Sequence, residues 1–115
     1  MSVEIYHNPR CSKSRQALQL LQDRGIAPKV VEYLKTPPDK ATLTHILDLL
    51  GLEPRDLMRK KEKEYQAHRL DDPALGREQL IEAMIAHPKL IERPIVINNG
   101  KAMIGRPPEK VAEIL

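Results

Sequence analysis

Residues 3–33 read VEIYHNPRCSKSRQALQLLQDRGIAPKVVEY, and this stretch decides the fold. It opens on a short β-prone run at residues 3–6, closed by His7, Asn8 and Pro9. Proline has no N–H to give to a sheet ladder, so the strand stops there. Apolar Ala17, Leu18 and Leu21 then recur at helical spacing from about Ser12 onward, and Gly25 stands where a left-handed C-terminal cap belongs. Residues 29–33, centred on Val30 and Val31, predict a second strand. A strand, a crossover helix and a second strand imply a parallel pair with a right-handed connection.

Working outward, residues 39–89 carry helical periodicity throughout. Leu43, Ile46, Leu47 and Leu50 form one stripe ended by Gly51, and Leu80, Ile81, Met84 and Ile85 form another ended before Pro88. Thr36 is expected as the N-cap of the first stripe, with Pro37 in its first turn and Asp39 as the capping-box acid. Residues 54–59 and 62–68 are weaker helix candidates, and Asp72-Pro73 marks a turn. Further on, Asn99-Gly100 between two apolar runs is a strong hairpin signal, because both central residues of the favoured turn need positive φ. A terminal helix is expected from Pro107, with Val111, Ile114 and Leu115 as its buried face. Two parallel strands beside an antiparallel hairpin, with helices on the faces, make the plan of an α/β, thioredoxin-like fold with a mixed four-stranded sheet. The surplus helices, at about 39–90, read as an insertion before the hairpin within a single domain, 1–115.

A chain of 115 residues suits one domain and buries roughly 65% of its unfolded surface, enough for a core without staples. One cysteine cannot make an internal disulfide, so a cross-linked secreted mini-protein is excluded and a reducing compartment favoured. The first twenty residues contain Glu4, Arg10, Lys13 and Arg15 and no continuous apolar run. Neither a secretory leader nor a membrane partner is therefore expected, and the location read from the sequence is cytoplasmic. The net charge of +3 is spread out, since Glu62 and Glu64 interrupt the lysines at 60, 61 and 63. With no Phe or Trp and three Tyr there is little on which to stack bases, so nucleic acid is not an expected partner.

Chemistry gathers around Cys11. It follows the first strand and opens the first helix, where unpaired N–H groups and the positive end of the helix dipole favour a thiolate. An unperturbed cysteine is about 3% thiolate at pH 7, and lowering its pKa by about two units makes it about three-quarters thiolate. Arg10, Lys13 and Arg15 flank it, and Ser14 lies three residues on, where its hydroxyl is placed to bond the sulfur. An imidazolium at His7, four residues before the cysteine, would also favour the thiolate; the alternative is a structural loop histidine. The same helix start suits an oxyanion. A tyrosine-phosphatase loop is disfavoured, because the position six residues after the cysteine is Ala17, and no G-x-x-x-x-G-K segment is present. His7, His45, His68 and His87 are too dispersed for a zinc site, so no metal is expected. Arg93-Pro94 and Arg106-Pro107 bracket the hairpin, at ends that face the first helix in a thioredoxin-like layout. In that layout Pro94 is the structural cis-proline opposite the active cysteine.

Tyr6 through Arg15 (YHNPRCSKSR), Leu57-Met58-Arg59-Lys60, Glu92-Arg93-Pro94-Ile95-Val96 and Gly105-Arg106-Pro107-Pro108 together resemble the glutaredoxin-dependent arsenate reductases of the ArsC family, especially its short YfgD-like members. The resemblance runs essentially end to end. It implies an arsenic-detoxification oxidoreductase in which Cys11 is the nucleophile, Arg59, Arg93 and Arg106 hold the oxyanion, and His7 and Ser14 tune the thiolate. It further implies arsenate as substrate, glutathione as co-substrate, glutaredoxin as partner, no tightly bound cofactor and a monomer. With no resolving cysteine in the chain, the second thiol must come from outside. The chain has Cys11-Ser12-Lys13-Ser14 where well-known members carry Cys-Gly-Thr-Ser, and a short member without their C-terminal extension is expected. Two other readings share the fold: an Spx-like regulator binding RNA polymerase, or a thiol-redox or glutathione-binding protein without arsenate activity. Redox-sensing Spx-like members use C-x-x-C, and Ser14 stands at the second of those positions.

Overall fold

A computed structural model describes residues 3–115 in two compact units, one formed by the chain up to Thr36 together with Arg93–Leu115, the other by Pro37–Glu92. The first unit holds the strands β1 (Glu4–Tyr6), β2 (Lys29–Val31), β3 (Ile95–Asn98) and β4 (Lys101–Ile104), the helix α1 (Ser12–Asp23) and a terminal 3-10 helix, Pro108–Ile114. The sheet order is β2-β1-β3-β4, with β1 and β2 parallel and the other two pairings antiparallel. Tyr6 pairs with Val31 on one side and Ile95 on the other, and Ile95 pairs with Ile104. That register brings four segments to one end of the sheet: the exits of β1, β2 and β4 and the entry to β3.

Alternation on β1 puts Ile5 in the core, where Ala17 and Leu21 of α1, Val96 of β3 and Val111 join it, all fully buried. Ser14, Ala17 and Leu21 lie on the same inward side of α1 because they are spaced three and four apart. The helix ends at Gly25, whose φ of +75 allows the left-handed cap. There the Ile26 N–H reaches the Leu21 carbonyl at 3.0 Å and the Gly25 N–H reaches that of Gln22 at 2.9 Å. Asn99 and Gly100 take φ of +53 and +74 and close the hairpin as expected.

Two elements of this unit differ from expectation. β2 stops at Val31, because β1 turns away at Asn8-Pro9 after the His7 N–H has bonded the Val31 carbonyl, leaving nothing further to pair with. Residues 32–35 form a turn instead, with Tyr33 fully buried. The C-terminal segment is a 3-10 helix and not an α-helix. Its apolar positions Pro108, Val111 and Ile114 are three apart, and a three-residue turn aligns them on one face.

In the second unit α2 (Lys40–Leu50), α3 (Lys63–Ala67) and α4 (Arg77–Ala86) accompany 3-10 turns at Pro54–Leu57 and Pro88–Leu90. Thr36 does not cap α2; Asp39 does, accepting the Thr42 N–H at 2.7 Å. Leu43, Ile46, Leu47, Leu80, Ile81 and Met84 are buried as their periodicity predicts. Among the described residues no helix is long and apolar enough to cross a membrane.

Candidate active site

Cys11 is the N-cap residue of α1, with extended φ and ψ of −94 and 122. Its sulfur therefore occupies the position of the usual capping oxygen, facing the first free N–H groups of the helix. The loop that presents it is held by polar bonds. Asn8 accepts the Arg10 N–H on its side chain and the Cys11 N–H on its carbonyl, both at 3.0 Å, and Arg15 donates to the Pro9 carbonyl at 2.9 Å. Beneath it, buried Ser14 accepts the Asn8 N–H at 3.0 Å and shares a 2.5 Å hydrogen bond with Nδ1 of buried His7.

This corrects the expectation for Ser14 and favours the structural of the two readings of His7. The Ser14 hydroxyl is engaged with His7 and Asn8; the group of Ser14 that acts on the sulfur is its backbone N–H. His7 is not poised as an imidazolium. Burial lowers its pKa below the ordinary value, against the pull of Glu32 and with help from Arg15, so the neutral ring prevails at pH 7. His7 and Ser14 therefore shape the loop that holds the thiolate.

The Cys11 pKa is lowered. Burial of the sulfur opposes ionisation, but it is outweighed by the Ser14 N–H, the hydrogen bond and charge of Arg93, and the Lys13 N–H. Arg106 stands beside them, with Nη2 3.9 Å from the sulfur and Nε donating to the Arg93 carbonyl at 2.9 Å. One guanidinium thus fixes the backbone of its neighbour while facing the thiol. Both arginines precede cis peptide bonds, Arg93-Pro94 and Arg106-Pro107; the first was expected and the second was not.

Sequence reasoning missed Gly105. Its N–H donates to the Pro94 carbonyl at 2.8 Å, and a Cβ there would lie 2.8 Å from Pro94 Cγ and 3.2 Å from Val111 Cγ1. Only hydrogen fits, so Gly105 lets the two Arg-Pro segments lie side by side. The available signal was a glycine ending a strand immediately before Arg-Pro.

Arg59 belongs to the second unit. Its N–H bonds the Leu90 carbonyl at 2.7 Å, and its half-buried guanidinium bonds Glu62 at 2.9 Å with Glu92 at 3.9 Å.

The ArsC family model matches residues 6–114. The chain belongs to the ArsC family. It is 58% identical to YfgD of Escherichia coli (strain K12), over 98% of this chain and 96% of that one. The identity to an arsenate reductase of Haemophilus influenzae is 49%, over the whole of both chains. A solved structure of an arsenate reductase from Vibrio cholerae matches with a TM-score of 0.97 at 55% identity, covering 100% of this chain and 98% of that one. The thioredoxin-like α/β fold expected from residues 3–33 and the hairpin is thus the fold of ArsC structures.

Proposed function

We propose that this protein reduces arsenate to arsenite, with Cys11 as nucleophile and with glutathione and glutaredoxin supplying the electrons. The supporting observation is a half-buried sulfur at a helix N-cap, with a lowered pKa and Arg106 Nη2 3.9 Å away. Guanidinium forks match tetrahedral oxyanions, and the helix N–H groups add donors of the same sign. The Cys11 thiolate bonds to arsenic, and one arsenate oxygen leaves as water with two protons from solvent. Glutathione sulfur then bonds to the Cys11 sulfur. The S–As bond breaks with its electron pair remaining on arsenic, so As(V) becomes As(III) while two sulfurs are oxidised to a mixed disulfide. Glutaredoxin exchanges that disulfide and restores the thiol, a cycle that needs one cysteine in the chain. Arg93 and Arg106 hold the oxyanion. Arg59 receives the same role from the Leu57–Lys60 motif, and the Arg59→Lys variant tests it.

The test is arsenite production by purified protein with saturating glutathione and glutaredoxin, together with mass spectrometry of Cys11. Turnover in the wild type and none in Cys11→Ser is expected. A Cys11 glutathione adduct without arsenite would exclude arsenate and keep only thiol-redox chemistry; co-purification with RNA polymerase and no turnover would favour the regulator.

A further inference from the structure

The end of the sheet that carries Cys11 has two flanks. Arg93 enters β3 and Arg106 leaves β4, so both guanidiniums reach the sulfur from the β3-β4 side of β1. On the other side β2 leaves the sheet at the same end, and its exit turn forms a hollow with the loop after β1. The volume is about 230 Å³, and the lining includes His7, Asn8, Arg10, Glu32, Leu34 and Lys35. His7 and Asn8 are its buried floor, and Arg10 is the residue immediately before the nucleophile. The oxyanion role proposed above falls to Arg59, Arg93 and Arg106 and to none of Arg10, Glu32, Leu34 and Lys35.

The rim carries two cations, Arg10 and Lys35, one anion, Glu32, and one apolar side chain, Leu34, which is 38% exposed. Glu32 and Lys35 face each other at 3.6 Å, but they are 43% and 80% exposed, and such a pair stabilises little. Both charges are free to turn toward a ligand. Glutathione at neutral pH presents two carboxylates and one ammonium, the rim's pattern with the signs reversed.

The chemistry asks for a site on this flank. Displacement at sulfur runs in line: the entering sulfur approaches opposite the bond that breaks. If the arsenic is held by Arg93 and Arg106 on the β3-β4 side, the reductant's thiol must come from the β2 side. We propose that the hollow between the β1 and β2 exits is the glutathione subsite, with Arg10 and Lys35 binding the two carboxylates and Glu32 the ammonium, so that the glutathione sulfur meets Cys11 from the flank opposite the oxyanion. The proposal rests on the reductase reading for its timing in the cycle, but the binding itself does not depend on arsenate.

The test therefore uses thiol exchange in the absence of arsenic. Wild-type protein and Lys35→Glu are reacted with glutathione disulfide or with uncharged bis(2-hydroxyethyl) disulfide, and the mixed disulfide on Cys11 is followed by mass spectrometry. In this reaction the Cys11 thiolate takes one sulfur of the disulfide and releases the other as thiolate. Lys35→Glu should slow reaction with glutathione disulfide fivefold or more and leave the uncharged disulfide within twofold. In turnover it should raise the KM for glutathione by a similar factor and leave that for arsenate within twofold. An unchanged ratio of the two disulfide rates overturns the subsite. So does an unchanged ratio with a slower glutaredoxin step, which would assign the surface to the protein reductant. A lowered ratio in a protein that makes no arsenite would keep the subsite and refute only the arsenate reading.

Discussion

Two helices of this chain begin in the same way with different atoms. α2 is capped by Asp39, whose carboxylate accepts the Thr42 N–H and is held below its ordinary pKa by that bond and by the Thr42 hydroxyl. α1 begins at Cys11, whose thiol is also pushed down: burial opposes ionisation, and the N–H of Ser14, three residues on, and the Arg93 side chain overcome it. In both, the backbone donor at the third helical position favours a negative atom at the cap. The carboxylate takes one of its helix's free N–H groups into a hydrogen bond of 2.7 Å. At α1 the acceptor is a larger, weaker one, so a device that stabilises one helix lowers the pKa of a thiol in the other.

The widest separation between the two caps should come from Cys11→Ser. Serine is a strong N-cap, so melting temperature should hold or rise while thiol alkylation and arsenite formation fall to background. A variant that melts well below wild type would show that the sulfur is a packing element and would break the parallel. Next in size, Arg93→Lys and Arg106→Lys should each lower arsenate turnover tenfold or more, the equivalent of about 1.4 kcal/mol, because lysine lacks the bidentate fork. Wild-type kcat/KM in both would remove the arginines from the site.

Gly105→Ala introduces a methyl 2.8 Å from Pro94 Cγ. A destabilisation of about 1–3 kcal/mol, the usual penalty of overpacking, is expected in denaturant titration, with slower Cys11 chemistry as Arg93 and Arg106 separate. The pH dependence comes next. The folded pKa of Cys11 lies below the unfolded one, so its contribution to stability is full above the ordinary cysteine pKa and is lost as pH falls through the lower folded value. Alkylation of Cys11 should inflect below the pH seen for free cysteine, and Arg93→Met should move that inflection upward. An inflection at the free value in wild type would contradict an activated thiol. The smallest effect belongs to the other cap: Asp39→Ala should lower the melting temperature by a few degrees and leave the alkylation profile of Cys11 unchanged.

Local rules carried the strand-helix-strand opening, the Asn99-Gly100 hairpin and the placement of Cys11 at a helix start, because each rests on neighbours in sequence: a proline that ends a strand, a glycine at a helix end, two residues able to take positive φ. They failed where a boundary depends on a distant partner. β2 was expected to reach Tyr33 and stops where β1 leaves, and Thr36 looked like a cap until the chain chose Asp39.

The site divides along the same line. That Cys11 is the one thiol, that a helix starts behind it and that arginines precede Pro94 and Pro107 were all determined by the sequence alone. Tertiary structure decided which atoms meet. It buried His7 and lowered its pKa, turned the Ser14 hydroxyl inward onto His7, and left the Ser14 N–H for the sulfur. It set Arg106 across the Arg93 carbonyl and required hydrogen alone at Gly105. Sequence spacing reports which groups lie on one turn of chain, whereas desolvation, charge and contact depend on groups up to 95 positions away, the separation of Cys11 and Arg106, and these act only after the sheet has brought the strand ends together.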